Sequence, residues 1–162
     1  MQKVFFVFIF SIACLVLQLL CLKIFGEGFV PNFVLIAVIF FNLFRGLRYS
    51  LGAAFFGGFL LDSFGGNIWG INTFSFVLCA FLIRTLKMYI YQPGVAQSRI
   101  LIVFIITLTN GFLQYVASLM MGVDLPFVQA LGRVILPEAI LTTIVADVTL
   151  ERLKQCALKL FA

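Results

Sequence analysis

Asp62 is the only charged residue between Arg48 and Arg84, and it closes a glycine-rich apolar run, Gly52-Ala-Ala-Phe-Phe-Gly-Gly-Phe-Leu-Leu-Asp62. A carboxylate at or near membrane depth is costly, so such a residue marks a place for catalysis, transport or a specific polar contact. Proteolysis by paired aspartates would need a second acid brought from another helix, and Asp147 is the one to consider. Histidine is absent, which removes the commonest general base and the commonest metal ligand. Cys14, Cys21, Cys79 and Cys156 lie in or beside apolar runs without C-x-x-C spacing, the setting of inert small hydrophobes. No Ser-His-Asp set, H-E-x-x-H or P-loop occurs. The expectation is a non-enzymatic protein with no cofactor and no metal.

Aspartate also starts turns and caps helices, and Ser63-Phe-Gly-Gly-Asn67 follows directly, so Asp62 reads first as a turn former. Ala53 and Gly57, and likewise Ala54 and Gly58, have the small-x-x-x-small spacing that lets helices approach closely in lipid. Gly58 and Asp62, four apart, share a helical face. A second polar stripe consists of Thr107, Asn110, Gln114 and Ser118, with Gly111 on the same side. Amides facing lipid are costly, so this stripe is expected to turn into the bundle or toward a partner, with interhelical hydrogen bonding as its first reading. Gly52, Ala54, Gly57, Gly58, Asp62, Asn110 and Gln114 are therefore the candidates for packing or partner binding. Pro137-Glu138 reads as a helix start in which Glu138 favours the dipole and pairs with Arg133. Asp147 reads as an interfacial residue pairing near Arg152.

The elements that must position these residues are set by composition. Of the 162 residues, 64% are hydrophobic and 10% charged. Soluble domains hold about 45–50% apolar and about 25% charged residues, so this is an integral membrane protein. Apolar runs place helices at Val4–Leu22, Pro31–Phe44, Tyr49–Leu61, around Ile71–Ile83, at Ile100–Met120 and at Val134–Leu150. Pro31 suits a first helical turn, and Arg84–Arg99 forms one substantial loop with its turn at Gln92-Pro-Gly94. The first run is longer than a signal-peptide core and is expected to stay as an uncleaved helix.

Lysine and arginine sort cleanly across these spans. With the N-terminus inside, nine of them are cytoplasmic: Lys3, Arg45, Arg48, Arg84, Lys87, Arg99, Arg152, Lys154 and Lys159. Only Lys23 and Arg133 lie outside. The fold class expected is all-α integral membrane, a polytopic bundle of about six transmembrane helices with both termini cytoplasmic. It forms one transmembrane domain over residues 1–162. Residues 151–162 make a basic amphipathic cytoplasmic tail, with Leu153, Ala157, Leu160 and Phe161 on one face. The net charge of +5 comes from scattered residues rather than a stripe, which excludes nucleic-acid binding.

Depth bears on Asp62. A helix from Arg48 to Asp62 rises about 21 Å, short of a hydrocarbon core about 30 Å thick. Asp62 is then expected at the outer end of a short third helix, beside a Gly-Gly turn in a depression, with Trp69 as an interfacial anchor. Asp147 falls near the opposite membrane face, which argues against an aspartate dyad.

Pro31 opening the second span, Phe44-Arg-Gly46, Gly52, Gly57-Gly-Phe-Leu-Leu-Asp62 and Gly70 stand in an order that resembles the bacterial rod shape-determining protein MreD family. The pattern covers Pro31 to Arg84. The resemblance implies a non-catalytic member of the cell-elongation machinery of the bacterial inner membrane. Its partners would be membrane lipid, an MreC-like bitopic protein, an MreB-like filament protein, and the peptidoglycan polymerase and transpeptidase of lateral wall synthesis. It makes the surroundings of Asp62 and the glycine face candidates for partner contact. The alternative is the substrate-binding membrane subunit of an energy-coupling vitamin transporter, which also uses small-residue helix faces. Against it, the outer loops lack a concentrated polar and aromatic set to form a ligand pocket.

Overall fold

The computed structural model describes residues 2–25, 30–64, 70–92, 95–122 and 126–161, the side chains of 2–6, 25 and 153–161 excepted. Among them every element is helical: α1 (Gln2–Phe25), α2 (Phe33–Arg45), α3 (Leu47–Phe64), α4 (Ile71–Tyr89), α5 (Ala96–Met120), a short α6 (Phe127–Ala130), a π-helical turn (Leu131–Ile135) and α7 (Leu136–Phe161). Trp69, the Gly65-Gly66-Asn67 part of the expected turn, Pro93-Gly94, and the side chains of Cys156 and of the tail residues Leu153, Ala157, Leu160 and Phe161 lie outside the described set.

α2 is the axis of the bundle. Its residues Val34 through Leu43 are all buried, and α1, α3, α4, α5 and α7 pack around it. A helix apolar all round is one that other helices enclose, and thirteen residues rise only about 20 Å. It starts at Phe33 because Asn32 caps it: the Asn32 side chain accepts from the Leu35 N–H at 3.0 Å. Pro31 therefore sits just outside the helix rather than in its first turn. α2 ends at Gly46, whose φ of 96° lets the chain reverse at once into α3.

The long loop expected from Arg84 to Arg99 is mostly helix, since α4 continues to Tyr89 and α5 begins at Ala96. Charges at a helix end do not terminate it when their long side chains reach polar groups nearby. Lys87 Nζ donates to the carbonyls of Leu43 at 2.7 Å and Asn42 at 3.2 Å, filling acceptors left over at the end of α2. The last helix differs too. α6, the π turn and α7 follow one another without a break, so Pro137 lies inside a helical run rather than at its start. A proline ring clashes with the carbonyl four residues back, here Arg133, and the π turn at 131–135 supplies the irregularity that accommodates it.

Among the described residues three helices are long and apolar enough to cross a membrane: α1, α4 and α5. α2 is apolar but shorter. α3 carries Arg48 and Asp62 at its two ends, with Ala53, Ala54, Gly57 and Gly58 buried between them.

Candidate functional site

Asp62 does not begin a turn. It lies in the last turn of α3, is 2% exposed, and reaches across to the first turn of α4. Gly70 stands at the N-cap of α4 in the left-handed region, with φ 95°, and offers no side chain to the helix. Asp62 takes that place. Its Oδ1 accepts from the Asn72 backbone N–H at 3.0 Å and from Asn72 Nδ2 at 3.0 Å. Its Oδ2 accepts from the Thr73 backbone N–H at 3.1 Å and from Thr73 Oγ1 at 2.7 Å. A carboxylate at a helix N-terminus satisfies orphan amides and complements the dipole, and here an acid from the neighbouring helix does both.

Gly58 makes this reach possible. A Cβ placed there would lie 2.5 Å from Thr73 Cα and 2.8 Å from Thr73 N, so the α3 and α4 backbones touch. Asp62 is one turn further along the same face, directly opposite the α4 amides. Gly57 serves a different neighbour, since its Cβ would lie 2.5 Å from Val34 Cγ1 of α2. Ala54 is fully buried. Among the described residues Gly52 meets nothing within 4 Å, so of these small residues it is the one with no close packing there.

The contact extends into α5. Asn72 Oδ1 accepts from Gln114 Nε2 at 2.9 Å, and Ser75 Oγ donates to Asn110 Oδ1 at 2.6 Å. The polar stripe of α5 thus faces inward: Thr107 and Asn110 are buried, Gly111 packs on Ile135, and Ser118 donates to the Gln114 carbonyl. Asn110 Nδ2 is buried without a hydrogen-bond partner among the described residues. The structure brings together Asp62, Gly58, Asn110 and Gln114. It adds Asn72, Thr73 and Ser75, which a reading by charge and glycine spacing passes over because each is an ordinary residue of an apolar helix.

A second contact joins α1, α2 and α7 at the same end. Asn32 Nδ2 donates to Glu138 Oε1 at 3.2 Å, the Asn32 N–H donates to Thr142 Oγ1 at 3.0 Å, and the Val34 N–H donates to Gln18 Oε1 at 3.2 Å. Glu138 therefore engages Asn32, and Arg133 makes no ion pair with it among the described residues. At the other end Arg99 Nη2 bonds Asp147 Oδ1 and Glu151 Oε1, both at 3.0 Å. Asp147 thus pairs with α5 rather than with Arg152. Along α5, Arg99 and Gln114 are about 22 Å apart, so Asp62 and Asp147 belong to opposite ends.

This arrangement suits holding helices, not moving protons or ions. An ionised carboxylate has about four acceptor positions, and those of Asp62 are all used by α4. Among the described residues no three His, Cys, Asp or Glu side chains converge to hold a metal.

A family model described as rod shape-determining protein MreD matches residues 1–150. No curated protein and no solved structure matches the chain.

Proposed function

The chain belongs to the rod shape-determining protein MreD family, a membrane family with a role in determining rod shape, and from that membership we propose that it is a non-catalytic scaffold of the cell-elongation machinery. In this reading α1 to α5 and the α6–α7 run cross the bacterial inner membrane six times, and both termini are cytoplasmic. The lysine and arginine distribution supports that orientation. The whole chain acts as one transmembrane domain with a basic tail. It binds an MreC-like bitopic protein and, through it, the filament protein and the lateral wall synthases.

The observation that carries the reading is the saturated Asp62. The most conspicuous carboxylate in the chain is fully engaged in docking α3 to α4. Asp62, Gly57, Gly58, Ala54 and Asn110 would then act on a partner at one remove, by fixing the shape that a partner meets. The surface on offer from α3 is the opposite, apolar side, where Phe55, Phe56 and Phe59 are exposed and Phe56 stacks edge-on with Phe8 of α1 at 4.6 Å. A rigid aromatic ridge in lipid gives a bitopic helix something specific to pack on.

Depletion in a rod-shaped host tests the role, and rounding of the cells is the expected result. Rods of normal width after depletion would contradict it. Purification in mild detergent should recover wall-elongation proteins. Recovery of an ATP-binding transport module in their place would point to the vitamin-transporter reading.

A further inference from the structure

At the end of the bundle away from Asp62, a cavity of about 750 Å³ opens between the α2–α3 reversal and the last turns of α4. Arg45, Arg48, Arg84 and Lys87 line it, and among the described residues no acidic side chain does. This differs from the pairing next door, where Arg99 is held by Asp147 and Glu151. Arg48 and Arg84 are exposed and make no hydrogen bond or ion pair among the described residues. The first turn of α3, residues Leu47 to Tyr49, also faces the cavity, and the leading N–H groups of a helix attract anions. Arg48 and Arg84 bring like charge to one space, so an anion between them relieves their repulsion.

We propose that this cavity binds the phosphate-bearing headgroup of an anionic membrane lipid. Two features select a lipid over a soluble anion. The cavity lies at helix ends, where headgroups reside, whichever membrane face that is. An exposed apolar stripe also leads to it along α4: Phe74, Leu78 and Phe81 recur at four- and three-residue spacing, and Met88, seven residues further on, lines the cavity. An acyl chain lies along that stripe while its headgroup meets the arginines. The inference is independent of the scaffold reading, because it needs no protein partner.

Native mass spectrometry of the purified full chain in detergent tests it, with titrations of phosphatidylglycerol, phosphatidylcholine and inorganic phosphate. The first phosphatidylglycerol should bind about tenfold more tightly than phosphatidylcholine. The Arg48→Ala/Arg84→Ala double variant should lose about thirtyfold in phosphatidylglycerol affinity and leave phosphatidylcholine binding unchanged. Lys23→Ala/Arg133→Ala removes the same charge elsewhere and should keep phosphatidylglycerol affinity. Equal binding of the two lipids by the native chain would overturn the proposal, as would retention of affinity in the Arg48/Arg84 variant or an equal loss in the control variant. Displacement of the lipid by inorganic phosphate at matching concentration would also overturn it, by showing a site for free anions.

Discussion

The two ends of the bundle treat charge in opposite ways. At one end the carboxylate of Asp62 is surrounded by donors from α4 until none of its acceptor capacity remains. At the other end Arg45, Arg48, Arg84 and Lys87 border one cavity with no acid among the described residues of its lining. The first arrangement locks helices together, because a buried anion is tolerable only when its donors are fixed around it. The second leaves capacity for something outside the chain. A conspicuous charge is thus a poor guide to chemistry until its partners are counted.

The largest expected break of the locked end is Gly58→Leu. The new side chain would meet the α4 backbone at Thr73, which cannot swing aside as a side-chain tip can. A loss of about 3 kcal/mol is expected, with a marked fall in the melting temperature of the detergent-solubilised protein. An unchanged melting temperature would show that α3 and α4 do not touch there. Asp62→Leu comes next, at about 2–3 kcal/mol, because it strands two backbone and two side-chain donors. Asp62→Asn keeps one acceptor oxygen and should cost about half as much. If asparagine proves as damaging as leucine at normal membrane abundance, the negative charge rather than hydrogen bonding is what counts.

Gly57→Ala should cost about 1–2 kcal/mol, since the added methyl meets Cγ1 of the buried Val34, a side chain that must shift to admit it. Gly52→Ala sharpens the comparison from the other side. No described atom lies near its added methyl, and alanine favours a helix interior over glycine, so stability should hold or rise by up to about 1 kcal/mol in the same melting assay.

Much of the helical plan was legible in the apolar runs, because a chain in lipid must satisfy its backbone within each segment. The inward face of α5 was legible as well, since Asn110 and Gln114 share a side that lipid would penalise. In α3 the small residues Gly57 and Gly58 stand where α2 and α4 approach closely. Their spacing did not single out Gly52, whose surroundings are open, because spacing records which residues share a face and not what stands opposite. The ends of elements were less legible. Arg84 and Lys87 resemble loop residues by type, yet α4 carries both, and the amine of Lys87 reaches across to α2. Pro137 resembles a helix start, and only the preceding π turn lets it stand within a run. Partners far apart in sequence were the least legible. Nothing near Asp62 in the chain announces that its donors come from Asn72 and Thr73, or that Asp147 meets Arg99 across 48 positions.

The central claim is that Asp62 serves as the missing N-terminal cap of α4, and a double-mutant cycle measures it most directly. Asp62→Asn, Thr73→Val and the double variant would each be unfolded in detergent beside the native chain. A coupling energy of about 1.5 kcal/mol is expected between the two positions, because the Thr73 hydroxyl donates to a carboxylate at 2.7 Å. Strictly additive losses would contradict it, since they would mean that Asp62 and the first turn of α4 stabilise the protein independently.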